Sequence, residues 1–487
     1  MQNTGSERIG ILILIPVLFG LWLVVTSLSE VVPGVGLYDG KRILELYLIC
    51  LTLSLVLISS AARQKMAVLI SAIPGWIRIH FLIFFGLGLS SALLTPNPAY
   101  PLLDVTMLYL LMVSSISIAC VKQQYKNRFD QIVLVLVAMM GFGVIFQELV
   151  GLLVYLSTEQ QFNYRESLFH FLHPRLYNQV QTWTIPLLAL LPLVFNKYRW
   201  IGPLSLILIG AQWYILLSTG ARGSTISLVS AMVLVGVILP RSRKLWVKTH
   251  ISGFVLGAIF YMSAIGFLQA VQPDKTEFVS ESIGRPMLHT SGRTDLWKHS
   301  IEDAIGNPMF GSGPMRYACD ADHYIAGSPH SFPFQVMGEW GIPAFLVLGV
   351  LFAWLMYSWF RATKRNEQET IYGQAAISCL SISCFAAAIH VCVSGLLVAP
   401  SSQVAGMLVS GWLLGSLFNV SYDSTENRPP QYDAVFLLLL GFVASVSVLI
   451  FTSNELENLP FRTSYAQDYG PTTPRFWQDG RFCEYSF

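Results

Sequence analysis

Long apolar runs alternate with short polar joints along almost the whole chain, and one long polar stretch interrupts them past the midpoint. Each run approaches the roughly 20 apolar residues that carry an α-helix across a bilayer. In order they are Ile9–Ser27, Ile43–Ser60, Arg78–Leu94, Tyr100–Cys120, Ile132–Leu156, Thr182–Phe195, Trp200–Ser218, Thr225–Pro240, Ile251–Val271, Gly341–Phe360, Ala375–Ala399, Val404–Tyr422 and Ala434–Thr452. The pattern predicts an all-α polytopic membrane bundle of about thirteen transmembrane helices. It lacks the ten-residue alternation of a lipid-facing β-barrel. Residues 1–271 read as spans with short loops, 272–340 as a large outward loop containing short helices, 341–452 as C-terminal spans and 453–487 as an outward tail.

Composition supports this class, with 54% hydrophobic and 12% charged residues, where a soluble domain carries about 25% charged. A net charge of +2 spread over short loops argues against a nucleic-acid partner. No Ala-x-Ala-like cleavage site follows the first run, which therefore reads as an anchor in the membrane lipid. No internal repeat or low-complexity tract stands out.

Basic residues fall in alternate loops: Arg63 and Lys65; Lys122, Lys126 and Arg128; Lys197 and Arg199; Arg241, Arg243, Lys244 and Lys248; Arg361, Lys364 and Arg365. Short basic loops stay in the cytoplasm. The opposite loops then face outward, into the periplasm of a Gram-negative cell, with Lys41 and Arg42 as a local exception. Five cysteines lie in or at the ends of apolar spans, where a thiol is a small packing residue. Cys319 and Cys483 lie outside, in an oxidising compartment, and are expected to form a disulfide between loop and tail.

The long loop collects the chemistry. Thr294–Ile305 predicts a helix on the membrane surface, with Leu296, Trp297, Ile301 and Ile305 near one face and Asn307-Pro308 ending it. Trp297 suits an interfacial anchor or a substrate contact. Arginine carries a permanent planar charge that fits diphosphate, and near lipid an unpaired guanidinium is costly, about 2.5 kcal/mol or more at the bilayer centre. Arg222 sits in the small-residue turn Ser218-Thr219-Gly220-Ala221-Arg222-Gly223-Ser224. Arg285 and Arg293 can join it in a basic outward pocket, with a headgroup anchor or a salt bridge as the plain alternative. His330, in Ser328-Pro329-His330-Ser331-Phe332, has a near-neutral titration that suits proton transfer, and Glu339 can orient it or brace an arginine. Asp320-x-Asp322-His323 reads as an acidic surface loop; no metal or other cofactor is expected.

Together these residues resemble the bacterial O-antigen ligase and O-antigen polymerase superfamily, which includes pilin-type protein O-oligosaccharyltransferases. The resemblance lies in Arg222-Gly223, Gly292-Arg293 with Trp297, Gly311-Ser312-Gly313, His330-Ser331 and Glu339-Trp340-Gly341, and covers roughly Arg165 to Gly341. The outward segment Arg175–Trp183 also resembles the one that precedes the Arg-Gly turn in this family. Ser331 departs from the frequent asparagine after the histidine, which leaves the subgroup open.

The resemblance implies a metal-independent transfer of a glycan from undecaprenyl diphosphate to an acceptor hydroxyl outside the inner membrane. The acceptor would be a glycolipid, in an O-antigen ligase, or a pilin-like protein. It implies catalytic roles for His330, Arg222 and Arg293, and substrate contacts for Arg285, Trp297, Glu339 and Arg175. A repeat-unit polymerase uses the same donor. A metal-dependent oligosaccharyltransferase would lose activity with a chelator. A lipid-linked oligosaccharide flippase or other transporter would keep ionisable groups at the bilayer midplane, whereas most of them here lie in loops.

Overall fold

A computed structural model describes residues 10–158, 168, 170–271, 292–319, 326–366, 370–418, 430–456 and 474–478. Its described elements are all helical. They are α1 (Leu14–Leu28), α2 (Leu37–Ile58), α3 (Ser60–Ser71), α4 (Gly75–Leu93), α5 (Ala99–Tyr125), α6 (Asn127–Ser157), α7 (Pro174–Thr184), α8 (Leu191–Val194) and α9 (Ile201–Ser218). Then come α10 (Arg222–Ile238), α11 (Arg243–Val271), α12 (Arg293–Gly306), α13 (Arg316–Cys319), α14 (Phe332–Trp340), α15 (Ile342–Arg365), α16 (Ile371–His390), α17 (Pro400–Leu417) and α18 (Tyr432–Glu455).

Among the described residues nine helices are long and apolar enough to cross a membrane, ten with the pair α2–α3, which bends by 97°. The protein is a multi-pass membrane protein. The bend has a local cause: Ser59 is extended, and its hydroxyl accepts from the Ala62 N–H to start α3. The other three of the thirteen expected segments differ in form from these. Thr182–Phe195 is broken into the end of α7, a 3₁₀ turn Ile185–Leu190 and α8, because Pro186 and Pro192 supply no N–H to a continuous helix. α10 is a 17-residue helix. α17 opens on Pro400-Ser401-Ser402-Gln403 and is buried along most of its length, so it meets protein rather than lipid.

Small residues set the closest helix contacts, as expected where lipid gives helices no hydrophobic reason to associate. A Cβ on Gly411 of α17 would come 2.6 Å from the Ser115 carbonyl of α5, and one on Gly415, a turn later, 2.7 Å from the Ala119 carbonyl. Gly257 of α11 meets the Gly210 carbonyl of α9 in the same way, at 2.6 Å.

The helix ends sort into two groups. At one end Lys122 pairs with Asp130 at 2.7 Å, Tyr372 donates to Asp130 at 2.6 Å, Arg63 reaches Gln431 and Asn366 reaches the Leu417 carbonyl. This end carries the short basic loops. At the other end meet the start of α2, the start of α7, the α9–α10 turn, α12, α14 and residues 474–478. Lys41 and Arg42, exceptions to the charge pattern, are buried here. Lys41 donates to the His170 carbonyl at 2.5 Å, and Arg42 to the Val398 carbonyl at 2.6 Å and to Glu45 at 2.5 Å. Their charges are held inside the protein, so they do not report on sidedness.

Candidate active site

The Arg-Gly turn is built by the chain leaving α9. Gly220 adopts φ +63°, a conformation that costs glycine nothing, and lets the backbone reverse into α10 with Arg222 as its first residue. α7 clamps this turn. Asn178 donates to Thr219 at 3.1 Å, and its carbonyl accepts from Ser224 at 3.2 Å. The remaining polar residues of that segment are joints as well: Tyr177 and Gln181 both reach Gln212, Gln179 reaches Ser394, and Trp183 donates to Ser402.

The second arginine opens another helix. Gly292 at φ +78° precedes α12, whose first residue is the half-buried Arg293. Among the described residues the Arg293 guanidinium has no hydrogen-bond or ion-pair partner. α12 has the expected limits, ending at Asn307, but its buried stripe is Leu296, Ser300 and Ala304, while Ile301 and Ile305 are exposed at 42% and 71%. Trp297 turns inward instead of anchoring at an interface. Its indole donates to the Pro329 carbonyl at 3.1 Å and its ring stacks on Phe334 at 5.3 Å.

That bond fixes the residue next to His330. His330 takes φ +52°, a left-handed conformation uncommon outside glycine, and its N–H leans on the Ser328 hydroxyl at 3.4 Å. Burial, followed by the positive charges of Arg293 and Arg175, pushes its imidazole down to about 4. Arg175, exposed at the start of α7, thus faces the same site. Arg293 also acts on a second imidazole, His390, the last residue of α16. His390 stands against the Arg-Gly turn, since a Cβ on Gly223 would lie 3.2 Å from its Nε2.

Glu339 lies behind this cluster, fully buried and turned away from solvent. It accepts from Arg475 at 2.8 Å, and Arg475 also grips Asp104 with two nitrogens, at 3.0 and 3.2 Å, and donates to the Gly327 carbonyl. Burial pushes the Glu339 carboxyl up, and the Arg475 charge opposes it. Glu339 therefore braces an arginine of the tail. The Gly-Ser-Gly turn locks the same spot. The N–H groups of Ser312 and Gly313 donate to the carbonyls of Gly338 and Glu339, both at 2.9 Å, and a Cβ on Gly311 would strike that backbone.

Thus the order seen in sequence, from Arg-Gly turn through Gly-Arg-x-x-x-Trp, Gly-x-Gly and His-Ser to Glu-x-Gly, becomes one cluster at one end of the bundle. Residues 204–349 match the family model described as O-antigen ligase. This segment belongs to the O-antigen ligase superfamily. No curated protein matches the chain. The O-antigen ligase segment contains Arg222, Arg293, Trp297, His330 and Glu339. His390, Arg475, Arg42 and Asp104 lie outside it, and sequence reading missed them. For His390 a signal existed, an ionisable residue closing an apolar run, which is costly unless it is used or paired.

Other expectations fall elsewhere. Arg285, Cys483 and the Asp320-x-Asp322-His323 motif lie outside the described residues. Cys319 is disulfide-bonded, while Cys50, Cys120, Cys379, Cys384 and Cys392 are free. Among the described residues no group of three or more His, Cys, Asp or Glu could hold a metal ion.

Proposed function

We propose that the protein transfers a glycan from undecaprenyl diphosphate to an acceptor hydroxyl at the periplasmic face of the inner membrane, as an O-antigen ligase or a protein O-oligosaccharyltransferase. The observation that carries this reading is Arg293, a half-buried guanidinium that has no hydrogen-bond or ion-pair partner among the described residues and whose charge acts on two imidazoles. A cation withdrawn from water in this way calls for an anion, and its planar fork matches a diphosphate. Arg222, next in the chain to the Gly223 that lies against the second imidazole, supplies another positive charge.

In the reaction the bond between the anomeric carbon and the diphosphate oxygen breaks, and the diphosphate leaves with its electron pair. The acceptor oxygen forms the new bond to that carbon. Charge grows on the leaving oxygen, where the guanidinium groups stabilise it without any need to reorganise. His330, neutral at physiological pH because of its low pKa, takes the acceptor's proton. On this reading Trp297, through the Pro329 carbonyl, and Glu339, by holding Arg475 against the Gly327 carbonyl, keep the loop of His330 in place, and Arg175 tunes the imidazole.

The test is transfer from purified lipid-linked glycan to lipid A-core or to pilin, using protein in detergent. Arg222→Ala, Arg293→Ala and His330→Ala are expected to lower turnover by about 10²-fold or more while the protein still accumulates in the membrane. Arg293→Lys should also be impaired, because an ammonium lacks the fork, and a chelator should leave the wild type active. Near-normal turnover in all three alanine variants would defeat the assignment.

A further inference from the structure

The surface of α12 divides into edges of different chemistry. With about 3.6 residues per turn, Leu296, Ser300 and Ala304 fall on one edge and are buried against the protein. Asp295, His299 and Glu302 fall on a second, all exposed, with His299 3.2 Å from Glu302. Between them Ile301 and Ile305 form an apolar edge that the protein leaves uncovered, and Met309, just past the helix, extends it. Lys298 stands on the border of the apolar and charged edges and reaches Glu302 at 3.6 Å, so its ammonium is drawn to the charged side while its stem sits beside the isoleucines. A helix with only water beyond the protein has no use for an apolar edge, and one sunk in lipid has none for a charged edge. Both together place α12 at a boundary.

The apolar edge runs into surface that faces lipid. The Pro308 carbonyl accepts from the Ile342 N–H at 2.9 Å, which ties the end of α12 to the start of α15, a spanning helix whose Ile342 and Leu346 are exposed. Gly313, shortly past Met309, lies against Thr95 at the end of α4, another spanning helix, where Leu93 and Leu94 are exposed. The edge is also too narrow for a second protein, since Ile301, Ile305 and Met309 alone fall far short of the roughly 1,200 Å² that a stable interface buries.

We propose that α12 lies along the bilayer surface at this end of the bundle, with Ile301, Ile305 and Met309 among the acyl chains, Lys298 at the headgroups, and Asp295, His299 and Glu302 in water. The seat fixes the height of two groups of the candidate site. Arg293 is the first residue of this helix, and Trp297 holds the Pro329 carbonyl beside His330. The lipid contact stands apart from the reaction proposed above.

The test places the photo-crosslinking amino acid p-benzoylphenylalanine at one position at a time in the full-length protein, reconstituted in vesicles of phosphatidylethanolamine and phosphatidylglycerol. At Ile301, Ile305 and Met309 it is expected to capture phospholipid as readily as at Leu346 of α15, and at Asp295 and His299 this capture is expected to be lost. All these side chains are exposed, so the probe leaves the packed edge of α12 intact. Capture at Leu346 with none at Ile301, Ile305 and Met309 overturns the proposal, as does equal capture on the charged edge. Crosslinks from the isoleucines to this chain or to a second copy of it show the edge covered by protein and overturn it too.

Discussion

His330 shows how much a single position depends on its surroundings. Its left-handed backbone costs of order 1–3 kcal/mol and is held by the Trp297 bond to Pro329 and the Ser328 hydroxyl. The imidazole titrates at about 4 because burial and then two arginines oppose its cationic form. The base form is therefore present at every pH above that value and is lost as pH falls through it. Arg175→Gln removes one of the opposing charges, so the folded pKa rises and the acid limb of the kcat/KM profile should move to higher pH. An unchanged limb would show that His330 is not the group being titrated. The sequence offered this histidine through its neighbours, Ser-Pro before and Ser-Phe after. It gave no hint of the tryptophan bond, which joins residues 32 positions apart.

Elements were legible where one physical rule acts alone. Apolar length located the long spans, and Asn307-Pro308 ended α12 where the sequence said it would. Reading went astray where polar side chains work inside the bundle: α7 looked like a motif-bearing outward segment, yet its Asn, Gln and Trp side chains join it to α9 and α17. On α12, Ile301 and Ile305 are left exposed by the protein, while Leu296 is buried. The α5–α17 seam gives a clean test at this scale. Gly415→Val places a side chain against the Ala119 carbonyl, a backbone atom that cannot step aside unless the helices part. We expect a loss of about 1–3 kcal/mol, read as a lowered melting temperature in detergent, whereas Gly349→Val, with open space around it, should melt like the wild type.

Across the whole molecule, the cluster is closed by chain that follows the last spanning helix. Arg475 is buried between Asp104 of α5 and Glu339 of α14, Phe476 receives the Arg42 N–H on its carbonyl at 3.0 Å, and the Gln478 N–H reaches Asp39 at 2.6 Å. None of this was readable in advance, because a Pro-Arg-Phe-Trp in a polar tail has no periodicity and the carboxylate partners of its arginine lie 136 and 371 residues away. Arg475→Met strands two carboxylates, one of them fully buried, and should cost about 3–5 kcal/mol. Glu339→Gln, combined with it, should restore part of the melting temperature. If the double variant melts no higher than the single one, the ion pair is not what makes Arg475 matter.

The placement of residues 474–478 also imposes a schedule. They dock on residues that come far earlier in the chain, so Arg42, Asp104 and Glu339 find these partners only after α18 and the segment that follows it have been made. Until residues 474–478 have been made, a nascent molecule holds Arg42, Asp104 and Glu339 without these partners, and the wall they share stays open.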